Sequence, residues 1–365
     1  ERPEIKKTGG VYYTPTHIVD YVVKHTVGKL LEGQPPAQTT GARGEGRPTT
    51  LRDSRPLRIL DPACGSGSFL IRAYQYLLDW HRDQYLAKGP ERYAEELCRC
   101  PNGNWQLTIA DRKRILLNSI YGVDIDPQAV EVTRLSLLLK MMEGESGPVS
   151  GAPLQRFHER ALPELANIIK CGNSLVGPGF YDNQQSTLPD EGTRSRINVF
   201  DWKAEFPAVF RGLNPGFDVV LGNPPYVFGE YHDQKAKKYL QARFSLARDQ
   251  YDTYWLFVEQ GLALTAKGGR FSMILPDALL ARDAAQAARA MLLDQGLERV
   301  YHCGVVFRAG VSTAVFTVAK GEQVEQLVSE VRSRTEAIIE HNCTLQRFRS
   351  DMRQRLLVHA SDEEA

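Results

Sequence analysis

The feature that most constrains this chain is an apolar strand that runs straight into a glycine-rich turn and then into a helix. Leu57 to Leu60 lead into Asp61-Pro62-Ala63-Cys64-Gly65-Ser66-Gly67-Ser68-Phe69, and helical periodicity continues from about Leu70 to Tyr85. The unit then recurs, with a helix near Arg112 to Ser119, a strand Ile120 to Val123 and a helix Pro127 to Met142. Ile168 to Leu175, Phe217 to Leu221 and Arg270 to Leu275 read as further strands, and Leu256 to Leu264 and Ala281 to Leu293 as helices. Arg299 to Val306 and Thr313 to Ala319 read as an antiparallel pair. Alternating strands and helices predict an α/β fold, a mostly parallel sheet covered on both faces. Such sheets bind ligands beyond the carboxyl ends of their strands, and the polar motifs fall at those ends.

The flanks are less regular. Ile18, Val22, Val23, Val27 and Leu30 have helical spacing within Val11 to Leu31, with Thr16 as the expected cap after Pro15. Gly33 to Pro56 is polar and rich in Gly, Pro, Thr and Arg, a flexible loop (33–56). Residues 86–111 read as an insertion, and residues 1–320 as one domain. From Glu322 to about Leu357 the charged, weakly amphipathic sequence predicts a helical connector (321–365), leading towards a target-recognition region not in this chain. The chain opens at Glu1 without a signal peptide and reads as a piece of a longer, or a processed, polypeptide.

Composition narrows the partners. No run of about 18 apolar residues exists, so no membrane span is expected. The six cysteines are scattered and lack metal-binding spacing, which fits a reduced, cytoplasmic chain without a metal site. With a net charge of +1, DNA must be met by a local patch, and Lys235, Lys237, Lys238, Arg243 and Arg248 form a candidate.

The glycines at Gly65 and Gly67 let backbone approach a ligand closely, and the helix that follows offers free N–H groups. At the next strand end, Tyr121-Gly122-Val123-Asp124-Ile125-Asp126 places a carboxylate where it can accept from both hydroxyls of a ribose. The interval from Gly65 to Asp124 far exceeds the roughly 20 residues of dinucleotide folds, and the phosphate-binding glycine pattern is broken by Phe69-Leu70, which argues against NAD. An adenosine without phosphate fits better, and Asp61 could then meet the ammonium of a methionine tail.

Asn223-Pro224-Pro225-Tyr226 follows an apolar strand and a glycine. Two prolines stiffen the backbone and remove two N–H groups, leaving the Asn223 side-chain oxygen and the Pro224 carbonyl as acceptors beside an aromatic ring. Acceptors and a ring suit an aromatic amine, whose delocalised lone pair becomes nucleophilic when its hydrogens are held. The methyl donor carries its own leaving group, so positioning is most of the work.

With these motifs in this order, the chain resembles the γ-class amino-methyltransferases of DNA, most closely the methyltransferase regions of type IIG restriction-modification and related phage-defence proteins, from about Gly10 to Lys320. The resemblance implies a Rossmann-like class I fold with a seven-stranded sheet, one strand antiparallel, and S-adenosyl-L-methionine as cofactor. Val11-Tyr12-Tyr13-Thr14-Pro15 resembles the N-terminal cofactor motif, with Tyr12 and Thr14 in the site. Asp61, Ala63, Gly65 and Gly67 match the glycine-rich motif, and Asp124 and Ile125 the ribose motif. Gly172-Asn173-Ser174-Leu175 resembles the segment that contacts the cofactor adenine, with Asn173 where the family usually has Asp. Asn223 to Tyr226 is the catalytic tetrad, with Asn223 also among the cofactor-binding residues. Val306-Phe307 followed by Val311-Ser312-Thr313-Ala314 resembles the base-stacking motif, so Tyr226 and Phe307 would sandwich a flipped base. What the resemblance implies is N6 methylation of adenine in double-stranded DNA, with a nuclease elsewhere in the full-length protein.

Other functions share parts of this pattern. The same tetrad serves enzymes that methylate a release-factor glutamine, and variants act on ribosomal guanine, but those generally lack the Tyr-Thr-Pro entry motif. Cytosine N4 methylation usually places serine at the Asn223 position. Pro189-Asp190 with Asp201-Trp202-Lys203 superficially fits a nuclease, although the stretch is loop-like. A sensor that only binds cofactor or DNA is the non-catalytic alternative.

Overall fold

The computed structural model describes residues 13–33, 56–100, 103–143, 164–182, 197–227, 234–248, 250–307, 310–332, 338–356 and 358–359. Val11 and Tyr12, nearly all of the 33–56 loop, and Pro189-Asp190 lie outside the described residues.

Apolar residues on alternating sides of each strand build one twisted layer. Its strands are β1 (Ile59–Asp61), β4 (Ile120–Asp124), β5 (Ile169–Cys171), β6 (Phe217–Gly222), β7 (Thr265–Pro276), β8 (Leu297–Val305), β9 (Ser312–Ala319), β10 (Gln326–Arg332) and β11 (Ile338–Thr344). Their order is β11-β10-β8-β9-β7-β6-β1-β4-β5. The chain winds from β1 outward to β5, then returns to β6 on the other side. The ends of β1, β4 and β6 therefore meet at a switch point, where open α/β sheets bind ligands.

Helices cover both faces. On one side lie α1 (Thr16–Val23), α2 (Ser68–Ala87), α3 (Ile109–Ser119) and α4 (Pro127–Met142), packed on Ile59, Val219, Leu221 and Ile274. On the other lie α5 (Trp202–Glu205), α6 (Pro207–Phe210), α7 (Gln234–Arg243), α8 (Thr253–Leu264), α9 (Ala278–Ala281) and α10 (Gln286–Asp294), packed on Leu60, Val220, Phe271 and Met273. Thr16 is the first residue of α1 rather than its cap. Pro15 occupies the cap position, and its carbonyl accepts from Ile18 and Val19 at 3.0 and 3.2 Å. The helix continues through a π segment, Lys24–Gly28, into a last turn, Lys29–Leu31.

Two expectations change. The 86–111 insertion carries its own antiparallel pair, β2 (Leu97–Arg99) with β3 (Trp105–Leu107), separate from the main sheet. The stretch expected as a helical connector is instead β10, β11 and the short α11 (Leu345–Ser350). The seven strands from β5 to β8, in which β9 runs antiparallel, are thus extended by a parallel β10 and an antiparallel β11. The physical reason is long-range pairing: Glu330 of β10, 8% exposed, meets Arg299 of β8 at 2.9 Å. A charge that reads as solvated is neutralised inside the sheet by a residue from another strand. Beyond α11, the fully buried Arg289 donates to the carbonyls of Leu279, Arg282, Arg353 and Gln354 at 2.7 to 3.0 Å, tying the tail down. Among the described residues no helix is long and apolar enough to cross a membrane.

Candidate active site

The turn after β1 is held by its neighbours. The Cys64 N–H donates to Val123 O at 3.0 Å, and Thr133 Oγ1 of α4 donates to Gly65 O at 2.8 Å. Gly67 has φ +83°, and a Cβ there would lie 2.8 Å from Thr133, so only glycine fits under α4. A Cβ at Gly65 would meet nothing within 4 Å, which leaves open space over the turn.

Two carboxyl groups flank this turn. Asp61 is 1% exposed, and its Oδ1 accepts from the Ala63 N–H at 3.0 Å. Burial, reinforced by nearby Asp124, pushes its pKa up to about 8. Gly222 closes the other side, where a Cβ would lie 2.6 Å from Asp61 Oδ1. Asp124 accepts from Gly65 N at 2.8 Å and Asp126 N at 2.9 Å, and burial raises its pKa as well. Each oxygen still has a free acceptor direction. Ile125, 49% exposed, offers an apolar shelf at the same edge.

The segment after β5 is held by bonds within the fold. The Asn173 side-chain oxygen accepts from its own Leu175 N–H at 3.1 Å, while its backbone N–H donates to Asn198 O at 2.6 Å. Its free amide group is therefore a donor, where the family's usual Asp would accept. Ser174 is buried with Oγ on Pro62 O, which fastens this segment to the β1 turn.

At the end of β6 the Asn223 amide is gripped from both sides. Nδ2 donates to Thr14 Oγ1 at 3.1 Å, and Oδ1 lies 2.7 Å from the Tyr226 hydroxyl. That hydroxyl also faces Ile274 O of β7 at 3.0 Å, so one proton serves two acceptors. Tyr254 packs edge-on against Tyr226 at 5.8 Å. The Val227 carbonyl accepts both the N–H and the hydroxyl of Thr253, at 2.8 and 2.6 Å, which anchors the chain after the tetrad.

The two aromatics expected to stack on the base lie side by side. Tyr226 and Phe307 are neighbours, with centroids 6.5 Å apart, but their planes are inclined at 64°. Phe307 is only 5% exposed within the core that also holds Tyr301 and Val315, and Tyr226 is tied through its hydroxyl. The rings form an edge-to-face contact and no parallel slot of base thickness.

The basic patch also divides. Lys235, Lys237 and Lys238 of α7 have no ion pair among the described residues. Arg243 is different: Ala236, Tyr239 and Leu240 put its side of the helix against the core, and its guanidinium reaches Gln260 Oε1 at 3.3 Å. Still exposed, it borders a cavity of about 440 Å³ with Trp202 and Lys203. The sequence reading also missed Thr133, Thr253 and Tyr254. Only Tyr254, in the aromatic run Tyr251-Asp252-Thr253-Tyr254-Trp255, carried a local signal.

A doubly wound sheet with a glycine turn, two carboxylates and an Asn-Pro-Pro-Tyr strand end at its switch point defines a class I amino-methyltransferase. The Eco57I restriction-modification methylase family matches residues 118–307, over half of the chain, and the N-6 DNA Methylase family matches residues 2–152. The chain belongs to the Eco57I restriction-modification methylase family, whose class is that of the N6-adenine DNA methyltransferases.

Relatives agree over part of their length. The type II restriction enzyme and methyltransferase RM.Eco57I of Escherichia coli is 29% identical over 285 residues, covering 77% of this chain and 24% of that protein. The adenine-specific methyltransferase PglX of Streptomyces coelicolor is 27% identical over 176 residues, 47% of this chain and 12% of that protein. Among solved structures, a nuclease-deletion mutant of the type ISP restriction-modification enzyme LlaGI, in complex with a DNA substrate mimic, matches 95% of this chain and 27% of its own. Its TM-score is 0.57 at 14% identity, a likeness of fold. The chain thus spans about a quarter of RM.Eco57I.

Proposed function

We propose that this chain transfers the methyl group of S-adenosylmethionine to N6 of an adenine flipped out of double-stranded DNA, as the modification domain of a restriction-modification or phage-defence protein. One observation carries the reading: the Asn223 amide, clamped between Thr14 and Tyr226, sits at the same sheet edge as the carboxylates Asp61 and Asp124. The donor set fits the cofactor. Asp61, buried with a single backbone donor, suits an ammonium, and Asp124 keeps acceptor directions for two ribose hydroxyls. Ile125 suits one face of adenine, and the open space above Gly65 admits the ligand.

When bound, the cofactor supplies an electrophilic methyl that carries its own leaving group. The chain supplies position. Asn223 Oδ1 and the Pro224 carbonyl accept the two N6 hydrogens, which favours a tetrahedral nitrogen and stabilises the positive charge that develops there. Thr14 holds Nδ2 and so keeps Oδ1 facing the base. The Tyr226 ring covers one face of the base, and Phe307 borders it edge-on. Lys235, Lys237 and Lys238 contribute phosphate contacts, while base reading belongs to a target-recognition region elsewhere in the full-length protein.

The test is incubation of the full-length protein with tritiated cofactor and unmethylated genomic DNA, followed by digestion to nucleosides. Label in N6-methyldeoxyadenosine that Asn223→Ala abolishes is the expected result. Label confined to another nucleoside, or to protein, would overturn it.

A further inference from the structure

The C-terminal strands reach back to the clamped asparagine. Thr14, 2% exposed, stands just ahead of α1, so its position follows that of the helix. About two helical turns further on, the Tyr21 hydroxyl donates to Glu330 of β10. The same carboxylate pairs with Arg299 of β8 at 2.9 Å, and the Tyr21 ring packs on Tyr301 of β8 at 4.5 Å. One turn earlier, His17 Nε2 lies 3.2 Å from Arg332 of β10.

The π segment makes this cluster matter. It interrupts the regular hydrogen-bond ladder at Lys24–Gly28, so the two halves of the helix need separate anchors. The far half is set by α2: a Cβ on Gly28 would lie 2.7 Å from the Tyr76 hydroxyl. The near half, which carries Thr14, is held by packing on α2, by the ion pair of Asp20 with Arg72 of α2, and on its sheet side by the Glu330 cluster.

We propose that Glu330 is a positioning residue for methyl transfer: with Arg299 it holds Tyr21, fixes α1 on the sheet, and thereby sets Thr14 against Asn223. This rests on Asn223 acting as proposed above. It also gives β10 and β11 a task beyond stability, because they couple the C-terminal edge of the sheet to the amide that grips the base.

The first measurement needs no cofactor. Hydrogen exchange of the full chain is compared between wild type, Glu330→Gln and the milder Tyr21→Phe. Loss of one buried hydrogen bond is expected to speed exchange in peptides covering 14–23 by about tenfold, leaving α8 unchanged. Equal rates in both variants would overturn the proposal. The second is a double-mutant cycle in methyl transfer. Glu330→Gln lowers kcat by about fivefold with the affinity for DNA unchanged, and adds little once Thr14 is alanine. Losses that multiply in full would overturn it too. A wild type that methylates no DNA would break the functional reading alone, and the exchange data would still decide where α1 is held.

Discussion

The two halves of the candidate site are built differently. The cofactor half is fastened mainly through backbone groups: Asp61 accepts from Ala63, Asp124 from Gly65 and Asp126, Cys64 donates to Val123, and the Thr133 and Ser174 hydroxyls hold the carbonyls of Gly65 and Pro62. Most of these partners belong to the motif itself or to the adjoining strand. The base half is fastened by side chains brought together from afar. Thr14 and Asn223 are 209 residues apart, and Tyr226 and Ile274 are 48 apart. Backbone donors at a strand end are present whatever the side chains do, whereas a side-chain clamp exists only if every partner is retained. The cofactor half should therefore yield mainly to changes of charge or backbone, and the base half to single-atom deletions.

Asn223→Ala puts the largest strain on that contrast. Removing a fixed dipole at the reacting centre is expected to lower kcat by about 10² to 10³-fold. Cofactor affinity, measured by calorimetry, stays within about twofold if the halves are independent, as distant sites are. A parallel collapse of both would break the comparison.

Asp61→Asn probes the other half. Loss of a charge-assisted bond of about 2 kcal/mol weakens cofactor binding roughly 30-fold. Stability moves the opposite way. Since the folded chain holds the Asp61 proton up to about pH 8, and the unfolded chain releases it near pH 4, wild-type stability without cofactor falls as pH rises through that window. Thermal unfolding should find the Asn variant more stable than wild type at pH 8, and the gap closing towards pH 4. A gap independent of pH would remove the buried charge from the account.

Tyr226→Phe sharpens the base half alone. It keeps the ring and deletes the hydroxyl that faces Asn223 and Ile274. A net hydrogen bond of about 1 kcal/mol predicts roughly fivefold slower turnover, with cofactor affinity unchanged. The smallest effect belongs outside both halves. Lys237→Ala with Lys238→Ala should flatten the salt dependence of DNA binding by about one unit of slope per contact, whereas Arg243→Ala should leave the slope unchanged.

Much of this was legible in the chain because it is local. The Asp61–Phe69 turn and the Asn223–Tyr226 strand end read directly as sites, since their glycines, prolines and carboxylates act through neighbouring backbone. The edge-to-face geometry of Tyr226 and Phe307 was not legible: it follows from a hydroxyl tied to β7 and a ring buried under β8 and β9. Arg243 looked like one more cation in a basic run, but in the fold its guanidinium reaches Gln260 of α8.

The sequence by itself determined the alternation of strands and helices and the chemistry of each strand end, because periodicity and turn residues act over a few positions. Only the tertiary structure decided that residues 326–344 are strands. Glu330 and Arg332 look solvated in sequence, but in the fold they meet Arg299, Tyr21 and His17, drawn from up to 315 residues away. Sheet pairing joins segments remote in the chain, and a buried charge is tolerable only where that pairing delivers its partner.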